Sequence, residues 1–381
     1  MNKIITLMLI LLLIPHFKTL SSDKLYIITV DAKDDPGNEV NKERLNLLSN
    51  INGFIITPTG NANSASGFAT YNFSTSNYYD YLPFIQEAVK TISVIRDSNH
   101  SGKKIWIALP KTETGIESSR YYRIPQSTDI RSYLIDLEKA VSQKFGNTFW
   151  NNNIKGFYMA DESLSVSGSQ HDYIIRARQV IDEKYNSSNS YNKELTWSPY
   201  YGLEANNKKI ISYWINNKFI FDKIYIQPNV MFYSSRNLGK EESYIPLSKI
   251  EDWVDGQNVS GITPTKNGLS GFPTKIGVNI ELINAYRKEY TTTEQRIRNI
   301  KIFNETIRHF ERFIANQRVP AIFFAESPKT IRQTPSVANC ISNIFDNSIE
   351  NTVTYSPNSK TIKNIPEGYP DCMYNDISDL L

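Results

Sequence analysis

The chain has 381 residues, of which 42 are basic and 39 acidic, for a formal net charge of +3. So even a balance, without any run of lysine or arginine, excludes the electrostatic footprint of a nucleic-acid binder or of a protein held to an anionic membrane. The length exceeds that of an ordinary single domain but suits a barrel with long loops, so one large domain is expected.

Residues 1–21 read as a signal peptide. Lys3 gives the positive end, residues 4–14 the apolar core, and Thr19 and Ser21 the small side chains of a cleavage site. That core is shorter than a membrane-spanning helix, and no later stretch reaches spanning length. The mature protein is expected to be secreted or extracytoplasmic, monomeric, and free of membrane insertion after cleavage.

Eight short apolar runs follow: 25–30 (LYIITV), 53–57 (GFIIT), 104–109 (KIWIAL), 156–160 (GFYMA), 195–200 (LTWSPY), 223–227 (KIYIQ), 275–280 (KIGVNI) and 320–325 (PAIFFA). Their length and their β-branched and aromatic content are those of strands. Segments 81–97, 130–144, 172–185 and 293–316 carry apolar residues at helical spacing. Strand and helix alternating eight times predicts an α/β fold, a (β/α)8 barrel of the TIM type. A doubly wound sheet threaded through the same runs is the alternative.

Polar loops at 59–76, 111–128, 162–170, 186–194 and 234–272 interrupt the alternation. All but one follow a strand, which extends the C-terminal face of a barrel. Residues 24–328 would form the catalytic barrel and 329–381 an irregular C-terminal extension packed on it. The two cysteines, Cys340 and Cys372, lie in that extension. After export they are expected to bridge, closing a loop of about thirty residues and stabilising by roughly 3 to 4 kcal/mol. His100, His171 and His309 lack ligand spacing and read as surface or capping residues, so no metal is expected. In so asparagine-rich a chain, the Asn-x-Ser/Thr triplets are read as chance.

Four runs are followed at once by acids: Asp31, Asp161 with Glu162, Glu281, and Glu326. Barrel enzymes hold their reactive groups at such strand ends, where the backbone is rigid and the loops build a pocket. Glycosidic hydrolysis needs one carboxyl group that keeps a proton and another that stays ionised. Carboxyl groups about 5 to 5.5 Å apart give retention, and about 6.5 to 9.5 Å inversion. We read Glu162 as acid/base and Glu281 as nucleophile of a retaining pair, with Asp31 and Asp161 as sugar ligands and Glu326 either as a sugar ligand or as a replacement for Glu281 in the pair. Each acid would also serve as a helix cap or first-turn residue. Trp197, Tyr200 and Tyr201 offer flat apolar faces to a sugar ring. Gln227 and Asn229 are placed to hydrogen-bond it. Trp106 and Tyr158 read as core, and Asn279 lies inside a strand, where an amide needs a buried partner. Elbow, phosphate-loop, dinucleotide and zinc-helix motifs are all missing, so no cofactor is expected.

Taken in order, GFYMADE, LTWSPYY, IYIQPN, GVNIE and AIFFAES resemble a group of secreted bacterial barrel proteins related to glycoside hydrolases. The acids after the fourth and seventh strands are similar in layout to the large retaining glycosidase clan. The resemblance spans residues 24–328 and implies a polysaccharide or oligosaccharide substrate. The chain departs from that clan where Asp161 stands in place of its usual asparagine, which makes Asp161 a rival for the acid. The alternative function is a carbohydrate-binding barrel without catalysis.

Overall fold

Eight parallel strands close on themselves. They are β1 (Lys24–Val30), β2 (Gly53–Pro58), β3 (Lys104–Leu109), β4 (Ile154–Met159), β5 (Glu194–Trp197), β6 (Lys223–Ile226), β7 (Lys275–Glu281) and β8 (Ala321–Phe324). Each pairs with the next, and β1 also pairs with β8, so the sheet is a closed barrel. That closure excludes the doubly wound alternative. The structure is a computed structural model, and its described residues are 24–30, 40–48, 51–58, 81–110, 127–162, 164–187, 192–199, 205–216, 220–227, 275–281 and 321–324. Residues 1–21 read as a signal peptide, both cysteines, the helix read at 293–316 and residues 329–381 read as an extension lie outside them.

Parallel strands need crossovers, and helices provide them. α1 (Lys42–Asn46) is a short turn before β2. α2 (Leu82–Asp97) carries Pro83 in its first turn and buries Phe84, Ile85, Ala88, Ile92 and Ile95, a stripe at three- and four-residue spacing. α3 (Ser127–Phe145) does the same with Ile130, Tyr133, Leu134, Leu137 and Val141. α4 (Asn147–Asn153) runs straight into β4, α5 (Gly168–Ile181) continues into a π turn (Asp182–Asn186), and α6 (Ala205–Asn216) leads to β6. With helices outside and side chains inside, β1, β2 and β6 are buried at every position.

The expected runs match these strands with one clear difference. The fifth was read through Tyr200, but β5 ends at Trp197. Pro199 has no N–H to extend the ladder, and its carbonyl instead accepts from the Gln227 N–H at 3.0 Å.

Register tells the two faces apart. Ile55, Trp106, Gly156 and Glu194 align as neighbours on four successive strands. Trp106 Nε1 donates to Glu194 Oε2 at 3.2 Å, across the glycine between them. Lys223 donates to the same oxygen at 2.7 Å and lies over the indole, 5.3 Å from its centroid. Side chains two strands apart meet in this way inside the barrel, so this row faces the lumen and the alternate positions face the helices.

Candidate active site at the C-terminal ends of the strands

The lumen-facing series runs upward from that base. On β5 it passes Glu194 and Thr196 to Ser198; on β6, Lys223 and Tyr225 to Gln227; on β7, Gly277 to Asn279. These last residues, Ser198, Gln227 and Asn279, are polar and buried near the C-terminal ends of their strands. Glu281 closes β7 two positions beyond Asn279, paired with Phe324 of β8.

Directly after β4, Asp161 is 1% exposed whereas Glu162 is exposed. Successive residues of an extended chain take opposite sides. Burial, followed by the charge of Asp161, holds the phenol of Tyr173 on α5 well above its usual range, and that hydroxyl donates to the Pro110 carbonyl at 2.9 Å. Asp161 thus lies on the α5 side of the strand end. Glu162 lies on the lumen side, where Gln227 Nε2 approaches its Oε1 at 3.4 Å. Of the two rivals for the acid, Glu162 is the one open at the mouth.

Trp197 corrects the sequence reading. It was expected to offer a face to sugar, but its ring is fully buried and stacks on Phe221 at 5.4 Å, with an interplanar angle of 26°. Its register partners are Met159 and Ile224. The reason is parity: Thr196 faces the lumen, so Trp197 faces the helices. There it has a different use, donating Nε1–H to the Asp161 carbonyl at 2.7 Å. This bond anchors the peptide immediately before Glu162.

A second polar chain was not read from sequence. Ser198 donates its hydroxyl to the Tyr225 carbonyl at 2.9 Å, and Asn279 Nδ2 donates to Ser198 Oγ at 2.9 Å. Asn279 and Ser198 are fully buried, and Gln227 is 3% exposed. The side-chain oxygens Asn279 Oδ1 and Gln227 Oε1 are buried without a hydrogen-bond partner. The available signal was an asparagine inside an apolar strand, which pointed to a buried network but not to the polarity of it.

Structure therefore brings Glu162, Gln227 and the closing position of β7 to one end of one barrel. Asp31, Tyr200, Tyr201, Asn229 and Glu326 lie outside the described residues. Trp106 and Tyr158 are buried as expected. His100 is buried too, with Nε2 2.8 Å from the Leu45 carbonyl and its ring edge-on to Phe54. Among the described residues no group of three or more His, Cys, Asp or Glu is arranged to hold a metal ion.

No protein-family model matches the chain, and no curated protein matches it. Solved structures do. A family 18 chitinase of Flavobacterium johnsoniae is 14% identical, over 85% of this chain and 94% of that one, with a TM-score of 0.42. A family 18 chitinase of Cycas revoluta, solved with (GlcNAc)4, is 10% identical over 85% and 100%, with a TM-score of 0.48. A glycoside hydrolase family 5 enzyme of Prevotella bryantii is 9% identical over 86% and 96%, with a TM-score of 0.42. The assignment of the barrel rests on this chain's own strand pairing.

Proposed function

We propose that this chain is an exported glycoside hydrolase that cleaves a polysaccharide with retention, Glu162 acting as acid/base and Glu281 as nucleophile. One observation carries the reading: Glu162 stands three residues past the end of the fourth strand and Glu281 closes the seventh strand of a single closed barrel, at the end where such folds place their chemistry. In this reading Glu162 protonates the leaving oxygen, then takes a proton from the water that hydrolyses the glycosyl ester formed on Glu281. Gln227 lies beside Glu162 at 3.4 Å, and Asp31, Tyr200, Tyr201, Asn229 and Glu326 line the sugar path.

The test is hydrolysis of a polysaccharide panel by the mature protein beside Glu162→Gln and Glu281→Gln, with products read by mass and the first-formed anomer by NMR. Both variants are expected to lose at least a hundredfold in kcat, and the anomeric configuration of the substrate is expected to be kept. An inverted first product would remove the nucleophile role of Glu281. Sugar binding without turnover by the unsubstituted protein would point to the carbohydrate-binding barrel instead.

A further inference from the structure

Among the described residues, the β5–β6 ladder is the shortest of the barrel. It runs over two residue pairs, Thr196 with Lys223 and Trp197 with Ile224, whereas the other seven ladders run over four to six. This seam lies on the shorter way round from β4 to β7, the strands that lead to Glu162 and Glu281. Its base is well closed: the Asp222 N–H donates to the Leu195 carbonyl at 2.9 Å, the Leu195 N–H donates to Asp222 Oδ2 at 2.8 Å, and Lys223 is paired with Glu194. Toward the C-terminal ends the ladder gives out after Trp197, and other bonds take its place.

Three successive residues carry those bonds. Trp197 donates Nε1–H back to the Asp161 carbonyl at 2.7 Å, past the end of β4. Ser198 donates its hydroxyl forward to the Tyr225 carbonyl of β6 at 2.9 Å, and Pro199 accepts the Gln227 N–H at 3.0 Å. Having given its hydrogen to Tyr225, Ser198 Oγ accepts, and Asn279 of β7 meets it with Nδ2 at 2.9 Å across the intervening strand. The segment Trp197, Ser198, Pro199 thus joins the ends of four strands, β4 to β7. Glu162 is the next residue after the carbonyl that Trp197 holds, and Glu281 is the second residue after Asn279.

Asn279 adds little to folding by this arrangement. It is fully buried and its Oδ1 has no hydrogen-bond partner among the described residues, so the desolvation of that oxygen offsets what the Nδ2 bond returns. The base of the seam is closed without it. A buried carboxamide held inside an apolar strand at no gain in stability points to a role in geometry.

We propose that Asn279 and Ser198 are positioning residues, whose hydrogen bond sets the spacing of the strand ends that carry Glu162 and Glu281. The inference rests on the glycosidase reading and deepens it. The separation of two carboxyl groups decides between retention, at about 5 to 5.5 Å, and inversion, at about 6.5 to 9.5 Å, so a change of about 1 Å in strand spacing acts on the chemical step itself. In this role neither residue contacts the sugar, and both act through the strands they hold.

Hydrolysis of β-glucan, xylan, mannan, glycol chitin and polygalacturonate by the mature protein beside Asn279→Leu and Ser198→Ala tests it, with melting temperatures and crystal structures of the same proteins. Asn279→Leu is expected to melt near the starting temperature, while kcat per folded molecule falls roughly ten- to a hundredfold and KM stays within about twofold. Ser198→Ala, which leaves Asn279 Nδ2 without its acceptor, is expected to melt lower and to show the same loss in kcat. In the crystals the Cα separation of Glu162 and Glu281 is expected to differ from that of the unsubstituted protein by about 0.5 Å or more. An unchanged kcat in folded Asn279→Leu would overturn the inference and leave the glycosidase reading standing, as would a lowered kcat with the two strand ends unmoved. A raised KM at unchanged kcat would place Asn279 against the substrate and overturn it as well. No hydrolysis of any of these polysaccharides by the unsubstituted protein would remove the reading and the inference together. Should Asn279→Leu fail to fold, Ser198→Ala, the deletion of a single oxygen, decides in its place.

Discussion

The ring of Trp106 occupies the space into which a side chain on Gly53 would project: a Cβ built at Gly53 would stand 2.9 Å from Trp106 Cζ3 and 2.5 Å from the Lys104 carbonyl oxygen. Glycine is required at Gly53 because the base of the lumen is filled by one large side chain from the neighbouring strand. Gly156 is tighter still, its Cβ falling 2.2 Å from the Glu194 carbonyl oxygen.

Gly53→Ala and Gly156→Ala are therefore expected to destabilise by roughly 2 to 4 kcal/mol each, since backbone atoms cannot swing aside as a flexible side chain can. Urea unfolding followed by tryptophan fluorescence measures this. A loss under about 0.5 kcal/mol, the range of an ordinary surface substitution, would mean that the strands separate more easily than the packing implies.

Glu194 holds the base together electrostatically. It accepts from Trp106 and Lys223, and Lys155 lies 3.4 Å from its other oxygen. Lys223 is 6% exposed, so Glu194→Gln would leave its ammonium buried without the countercharge. The expected cost is about 3 to 5 kcal/mol, and Glu194→Leu combined with Lys223→Met should recover most of it. The double-mutant cycle in urea gives the coupling directly, and additive losses would show that the pair is not a unit.

Lys193 predicts an unusual pH dependence. It is 1% exposed, donates to the carbonyls of Trp150 (2.8 Å) and Ile154, and sits 5.0 Å over the Trp150 ring. Burial chiefly, with Lys155 and Lys104 adding and Glu138 opposing, lowers its pKa from 10.5 to about 7. Folding therefore favours the neutral amine. Between about 7 and the unfolded value the unfolded chain binds more protons, so stability rises with pH, by up to about 1.4 kcal/mol per unit. Below about 7 both states are protonated and the contribution is flat. Lys24 shifts in the same direction by burial. Unfolding free energies at pH 7 and 9 should show a rise that Lys193→Met reduces, and equal slopes in the two proteins would refute the assignment.

The barrel was legible because every strand is buried on both faces, which leaves short apolar runs between amphipathic helices, as in the stripe from Phe84 to Ile95. Strand ends were legible to within a residue or two where a proline or an acid marks them. Orientation was harder to read. Whether Trp197 looks into the lumen or toward the helices depends on the parity set by closure, and an apolar run like LTW carries no parity of its own. The acids after β4 were found as a pair, but only burial separates Asp161 from Glu162. The polarity of Asn279 depends on where Ser198 sends its hydrogen, two strands away, which nothing local in GVNIE records.

Trp197 ties that packing to the proposed chemistry. Its indole N–H holds the Asp161 carbonyl at 2.7 Å, and the next residue along the chain is Glu162. Trp197→Phe keeps the stack on Phe221 but removes the donor, leaving a buried carbonyl unmet at a cost of about 1 to 3 kcal/mol. If the bond only stabilises the fold, the loss appears in the unfolding free energy, and kcat is unchanged once the protein is folded. If it positions Glu162, kcat falls roughly tenfold or more with little change in KM, because a small misplacement of an acid/base affects the transition state more than the bound sugar. The second outcome is expected: Gln227 approaches the Glu162 carboxylate only at 3.4 Å, too long to fix the side chain unaided, so its placement depends on the anchored peptide before it.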